Sequence, residues 1–442
     1  MDVASHSAHD NYQTHIINDG VSLPSHWQVE RLRHVFTFNK GLTITKENLQ
    51  DTGVPCVNYG EIHSKYGFEV DPGRHPLKCV DPSYMKNNSA SLLKRGDFVF
   101  ADTSEDLEGS GNFTCFSSDE TAFAGYHTLI AKPKTPMNAR FMAYLFDSTA
   151  FRAQVQVEVK GVKVFSISQA ILKPTRVWFP PQHEQDAIAA FLDERCSKID
   201  DAVRIKEEQI VLLRERRQIL IQQAATRGLD PAAPLKDSGI DWIGQIPAHW
   251  EIRRSKYVFT QRKELARKDD VQLSATQSYG VVSQEYFEEM VSRRVVKIQT
   301  NLEKRKHVEL DDFVISMRSF QGGLERAFAT GCIRSSYVIL RALEPTDPDF
   351  FGYLFKSPRY IKALQTTGSF IRDGQDLSFD NFSKVDLFLP PLDEQVAIAR
   401  QIKLGCEKID NGTAIKDEQI AALREYRTTL INAAVTGKIK VV

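Results

Sequence analysis

A 46-residue stretch occurs twice in this chain, and no other feature limits the fold as tightly. PQHEQDAIAAFLDERCSKIDDAVRIKEEQIVLLRERRQILIQQAAT runs from Pro181 to Thr226, and PLDEQVAIARQIKLGCEKIDNGTAIKDEQIAALREYRTTLINAAVT from Pro391 to Thr436. The offset is 210 residues throughout, without a gap, and 23 of the 46 positions are identical. Among these are Glu184/Glu394, Gln185/Gln395, Asp200/Asp410, Leu213/Leu423 and Arg217/Arg427. A repeat at fixed offset marks a duplicated unit, and everything else is read against it.

Each copy reads as one long helix. Neither has a proline after its first residue, and good helix formers dominate both. Prolines open each copy, Glu184, Asp393 and Glu394 place carboxylates near the positive N-terminal end, and Gly228 and Gly437 stand at the expected stops. Between these ends a 4-3 spacing runs through Leu192, Cys196, Ile199, Val203, Lys206, Ile210, Leu213, Arg217, Leu220 and Ala224. It recurs at Ile402, Cys406, Ile409, Thr413, Lys416, Ile420, Leu423, Arg427, Leu430 and Ala434. A sustained 3.5-residue repeat predicts a helix wound on a partner helix. The chain order of domain, helix, domain, helix predicts that the two helices pair with each other, antiparallel. The expected seam is Leu192, Ile199, Ile210, Leu213 and Leu220 against Ile402, Ile409, Ile420, Leu423 and Leu430, a rod of roughly 50 Å. Two ordinary amphipathic core helices are the plainer alternative.

Repetition extends past the helices. SLPSHWQVERLRHVFTFNKG (22–41) matches QIPAHWEIRRSKYVFTQRKE (245–264) at an offset of 223, pairing Trp27 with Trp250. Because both tryptophans travel with the scaffold, they are expected to pack each domain onto a helix end. The middles of the blocks diverge, and each reads as short strands between Gly, Pro and Asp turns with a little helix. The fold class is therefore α+β, with two pseudo-symmetric β-rich domains and two long helices. The expected division is a polar N-terminal tail (1–19), a first domain (20–180), a first helix (181–227), a linker (228–244), a second domain (245–389) and a second helix (390–442).

Composition excludes several classes. With 442 residues, 42% hydrophobic and 26% charged, the chain has the make-up of a soluble globular protein of two or three domains. No apolar run approaches the length of a membrane span, and MDVASHSAHDNYQTH lacks the apolar core of an export signal. Six cysteines are scattered without a CxxC, which argues against zinc or a disulfide framework and fits a reducing cytoplasm. Net charge is zero, so charge alone does not announce a nucleic-acid binder.

FPPQHEQ (179–185) and LPPLDEQ (389–395), each leading into a helix with KID and a Gln-Ile pair, resemble the specificity subunit of type I restriction–modification systems. So do KDSGIDWIGQIPAHWE (236–251) and LINAAVTGKIKV (430–441), and the resemblance covers nearly the whole chain from about residue 20. It implies that each domain is a target-recognition domain contacting one half of a bipartite site on double-stranded DNA. The helices would set the gap and dock two modification (methyltransferase) subunits, and through them ATP-dependent restriction subunits. S-adenosylmethionine, ATP and Mg2+ would belong to those partners, leaving this chain without cofactor or catalytic role. Divergent middles imply unlike half-sites and an asymmetric target.

Which residues read DNA is open to several answers. In the second domain RSFQGGLER (318–326) offers Arg318 for guanine, Gln321 for adenine, Ser319 as a further polar contact, and Gly322 for close backbone approach. GSFIRDGQD (368–376) adds Arg372 and Gln375. First-domain candidates are Tyr59, Lys65 and Tyr66, together with Lys160 and Lys163. The loop 102–112 is acidic; Asp102, Glu105 or Asp106 could accept from cytosine N4, and a solvated loop is the plainer reading. Basic runs at 253–256, 267–268, 293–297 and 303–307 are candidate phosphate contacts, or simply solvated faces. The sequence offers neither a phosphate-binding loop nor a methyl-transfer motif, and a D…E-x-K set at Asp147, Glu158 and Lys160 has no counterpart in the second domain. A stand-alone DNA nuclease and a coiled-coil scaffold without DNA remain the alternatives.

Overall fold

The computed structural model describes residues 12–15, 21–161, 163–292, 294, 302–367 and 378–441. The chain folds into two compact units: Met1–Lys206 with Glu418–Val442, and Glu207–Asp417. Both long helices, Gln182–Arg227 and Leu392–Val435, contribute to both. Each stops at a glycine in the left-handed region, Gly228 at φ +70° and Gly437 at φ +69°, a conformation that costs glycine least.

In the first unit a five-stranded sheet runs in the order Phe36–Lys40, Thr128–Pro133, Phe98–Ala101, Phe113–Phe116, Phe68–Val70. Only the last pairing is parallel. A four-stranded sheet (Cys79–Val80, Val54–Val57, Ala122–Ala124, Leu92–Leu93) accompanies it. Phe98, Phe100 and Phe113 pack against Phe146 of helix Ala139–Asp147, while Val99 and Ala101 belong to a separate core cluster with Val57, Phe116 and Ile130. Both faces of that strand are buried, which is why it reads as a continuous apolar run.

The second unit is a smaller version: Phe259–Arg262, Val338–Ala342, Phe313–Ile315 and Glu325–Arg326 form an antiparallel sheet backed by helix Pro348–Phe355. The edge hairpin Leu273–Thr276/Gly280–Ser283 and the pair Lys306–Val308/Gly331–Ile333 complete it.

Within each unit the helices pair antiparallel. In the first, Lys206 donates to Gln419 at 2.7 Å and Asp200 lies 3.4 Å from Arg427, so one number falls as the other rises. Leu192, Cys196 and Ile199 are buried with Leu430, Ile431 and Ala434, and Leu423 packs against the same core. In the second, Arg217 lies 3.3 Å from Asp410. A Cβ on Gly405 would come within 2.7 Å of Leu220 Cδ1, and one on Gly412 within 3.8 Å of Leu213 Cδ1. Ile402 is fully buried there; Ile210, Ile409 and Ile420 are also buried.

The stretch read as a polar tail is partly structured. Tyr12–His15 pairs antiparallel with Val21–Pro24, and in the other unit Leu235–Asp237, inside the expected linker, pairs with Gln245–Pro247. The registers match, Tyr12 opposite Pro24 and Leu235 opposite Pro247, at the same offset of 223. The duplication thus includes a hairpin whose outer strands share few side chains, because main-chain hydrogen bonds carry the pairing. Among the described residues no helix is long and apolar enough to cross a membrane.

Candidate nucleic-acid interface

The repeated Glu-Gln step joins each domain to its helix. Trp27 Nε1 donates to Glu184 at 3.1 Å and His26 Nε2 lies 2.8 Å from the same carboxylate. In the second unit Trp250 and His249 meet Glu394 at 3.0 and 2.7 Å. The neighbouring glutamine turns inward. Gln185 donates to the Pro180 carbonyl and accepts from the backbone of Asn138, and Gln395 does the same with Pro390 and Asp347. Asn138 and Asp347 are themselves the N-caps of the domain helices, accepting from Phe141 and Phe350. One motif therefore fixes both the long helix and the helix behind each sheet.

Above this shared base the domain surfaces differ. In the first unit helix Tyr59–Ser64, closed by an Asn58–Glu61 capping box, forms one wall of a cleft of about 760 Å³. Thr103 to Asn112 form the other, with His127 and Val164. Tyr59 sits among Tyr126, His127 and His63 at ring distances of 5.6, 5.5 and 6.2 Å. Burial raises the pKa of the Tyr126 phenol, with the nearby Glu61 adding to it. His63 Nε2 lies 2.8 Å from the Thr103 carbonyl, and Asn112 Nδ2 lies 2.8 Å from His63 Nδ1. Donation to the carbonyl and acceptance from the amide fix the ring's tautomer. Strand Phe165–Ser166 pairs with Thr103–Ser104, and Lys160 and Lys163, shortly before it in the chain, are exposed. Lys65 is exposed just past the helix. Tyr66 is engaged: it stacks on His75 at 4.7 Å and its hydroxyl donates to Pro76. The acidic loop lines the cleft, and Asp102 lies 3.1 Å from His127.

In the second unit Arg318 caps the short helix Ser319–Gly322 and its side chain is exposed, as is Gln321. Ser319 must be withdrawn as a DNA contact: it is 1% exposed, and its hydroxyl accepts from the Ser316 backbone at 2.9 Å. Gly322 has a different reason to be small. A Cβ there would lie 2.3 Å from Gln277, whose amide donates to the Arg318 carbonyl. Arg372 and Gln375 lie outside the described residues, as do Arg293 and Val295–Lys297 of one basic run. Most other basic-run arginines are paired, Arg253 with Glu251 and Glu344, and Arg267 with Glu264 and Glu309. Arg305 is buried.

Several surface residues carried no sequence signal. His63, Asn112 and His127 are scattered along the chain and meet only through the sheet. A hollow of about 490 Å³ lined by Tyr279, Tyr286 and Phe328 adjoins the hairpin that carries Gln277, with Arg326 5.1 Å above the Phe328 ring. Glu264, His307 and Glu309 cluster closely enough to suggest a metal, but Arg262 and Arg267 neutralise both carboxylates and Asp270 holds the histidine. The donors fit an ion-pair network. Asp147 is likewise held in ion pairs, by Arg152 and Arg427.

Two unlike surfaces thus stand on one duplicated base. Residues 24–210 match the family of type I restriction modification DNA specificity domains. The chain is 23% identical over 429 residues, 95% of each protein, to a Methanocaldococcus jannaschii protein provisionally named the type I restriction enzyme MjaX specificity subunit. In fold it is similar to a chain from a type I R-M system solved for its complex assembly and conformational transition (TM-score 0.67, 16% identity, 94% of this chain and 99% of that one). It is also similar to the HsdS subunit from Thermoanaerobacter tengcongensis (TM-score 0.53, 16% identity, 94% and 98%). Residues 24–210 thus resemble a type I restriction modification DNA specificity domain, and over nearly its whole length the chain is similar to a protein of that kind in sequence and to an HsdS subunit in fold.

Proposed function

We propose that residues 20–180 and 245–389 are target-recognition domains, each reading one half of an asymmetric, bipartite site on double-stranded DNA. The first domain reads through the cleft around Tyr59, with Lys65, Lys160 and Lys163 on phosphate. The second reads through Arg318 and Gln321. Residues 181–227 and 390–442 serve as spacers that fix the gap and dock two methyltransferase subunits, which in turn recruit restriction subunits in the cytoplasm. S-adenosylmethionine, ATP and Mg2+ act on those partners.

The observation that carries this reading is the contrast between base and surface. Trp–Glu and Gln–carbonyl contacts recur to within about 0.1 Å in both units, whereas the acidic wall of the cleft and the Arg318 loop differ in residue type and charge. Selection for folding alone gives no reason for one constant half and one divergent half. The exposed Arg318 guanidinium suits bidentate pairing with guanine O6 and N7. Titrating the chain with its methyltransferase onto duplexes carrying the mapped site tests the reading. Affinity should fall steeply with salt, with a slope set by the phosphates contacted; salt-insensitive binding would favour a scaffold instead.

A further inference from the structure

In the first unit an unbroken line of polar side chains runs from the cleft wall to the helix pair. Asn112, which lies 2.8 Å from His63, accepts from Arg152 at 2.8 Å. Arg152 also reaches Asp147 at 3.3 Å, Asp147 stands 3.5 Å from Arg427 on the second long helix, and Arg427 stands 3.4 Å from Asp200 on the first. The helix that carries Arg152, Thr149–Glu158, is pinned at its start: Thr149 donates from both backbone and hydroxyl to Asn432, each at 2.9 Å.

Among the described residues the second unit keeps the inner half of this line. Arg217, matched to Arg427, stands 3.3 Å from Asp410, matched to Asp200. Aligning AYLFDS (143–148) with GYLFKS (352–357) puts Lys356 where the first unit has Asp147. Its charge is opposite, and it turns to Glu325 at 2.7 Å. Ile361 takes the place of Arg152. The arginine–aspartate pair therefore belongs to the duplicated scaffold, and among the described residues the extension to the cleft is a feature of the first domain.

We infer that Arg427, Asp147 and Arg152 are positioning residues for the first domain's cleft. They act through Asn112 on His63, so that discrimination at one half-site depends on a residue of the helix pair. The inference rests on the proposed reading of the cleft. Such a network transmits position because each member is held from two sides, so that displacing one pulls its neighbours toward their remaining partners.

The test measures binding of the full chain with its methyltransferase to duplexes bearing single changes in one half-site or the other. Asp147→Asn, Arg152→Lys and Tyr59→Ala are compared with the parent. Expected is a loss of about fivefold or more in discrimination at the same half for all three, with the other half unchanged. If the Asp147 and Arg152 variants flatten one half while Tyr59→Ala does not, the relay stands and Tyr59 is removed from the reading surface. If Tyr59→Ala alone acts, or the relay variants weaken both halves equally, the relay is overturned.

Discussion

Glu184 accepts the indole N–H of Trp27 at 3.1 Å across 157 residues of chain. Glu394 does the same for Trp250 at 3.0 Å. Each carboxylate stands in the first turn of its long helix, where the helix dipole favours negative charge. The contact welds a domain's opening segment to the helix that leaves that domain, and it survives duplication where most of the domain surface does not.

Glu184→Ala and Glu394→Ala should each destabilise the chain by about 1–3 kcal/mol, the cost of leaving a buried donor without its charged acceptor. Denaturant unfolding followed by tryptophan fluorescence measures both. Matching losses are expected from matched geometry.

Leu192 is fully buried in the helix seam of the first unit. Leu192→Ala should cost about 2–5 kcal/mol, the usual range for a core leucine truncated to alanine. Ile205→Ala, on the exposed side of the same helix, should cost far less; equal losses would place the seam elsewhere.

Glu69 is held below its ordinary pKa. Burial alone would raise it, but hydrogen bonds from Ser117 and Arg74, with the charges of Arg140 and Arg74, outweigh that. Its contribution to stability is complete above the unfolded value of about 4.3 and disappears as pH falls through the lower folded value. Thermal melts below pH of about 4 should therefore show the Glu69→Gln variant losing less stability on acidification than the parent.

Arg318→Ala should relax recognition at one base position of one half-site, by about 1–3 kcal/mol of discrimination. Binding to single-base variants of the target measures it. Uniform weakening across all sequences would demote Arg318 to a phosphate contact.

Adding one heptad to each long helix lengthens it by about 10 Å, equivalent to about three base pairs. The gap in the recognised motif should widen by that amount while both halves keep their sequence. A changed half-site would count against the spacer role.

The parts legible in the sequence are those written in periodicity. The 4-3 spacing from Leu192 to Ala224 and its copy from Ile402 to Ala434 are one-dimensional patterns, and the antiparallel contacts of Lys206 with Gln419 and Arg217 with Asp410 follow from them. The candidate recognition surfaces are not periodic. His63, Asn112 and His127 converge through strand pairing, which no local pattern encodes. Ser319 reads as a contact because it stands in a loop after a strand that combines Arg, Ser, Gln and paired glycines, yet one turn of helix places its hydroxyl inside. The strand Tyr12–His15 escaped because backbone hydrogen bonds, not side chains, define it.

Mapping modified bases across the genome of cells carrying this chain with its methyltransferase tests the central claim most directly. The proposed pair of recognition domains with spacer helices between them predicts a single bipartite motif whose halves differ in sequence and are separated by a constant gap. A continuous motif, a palindromic one, or halves found at varying separations would contradict it.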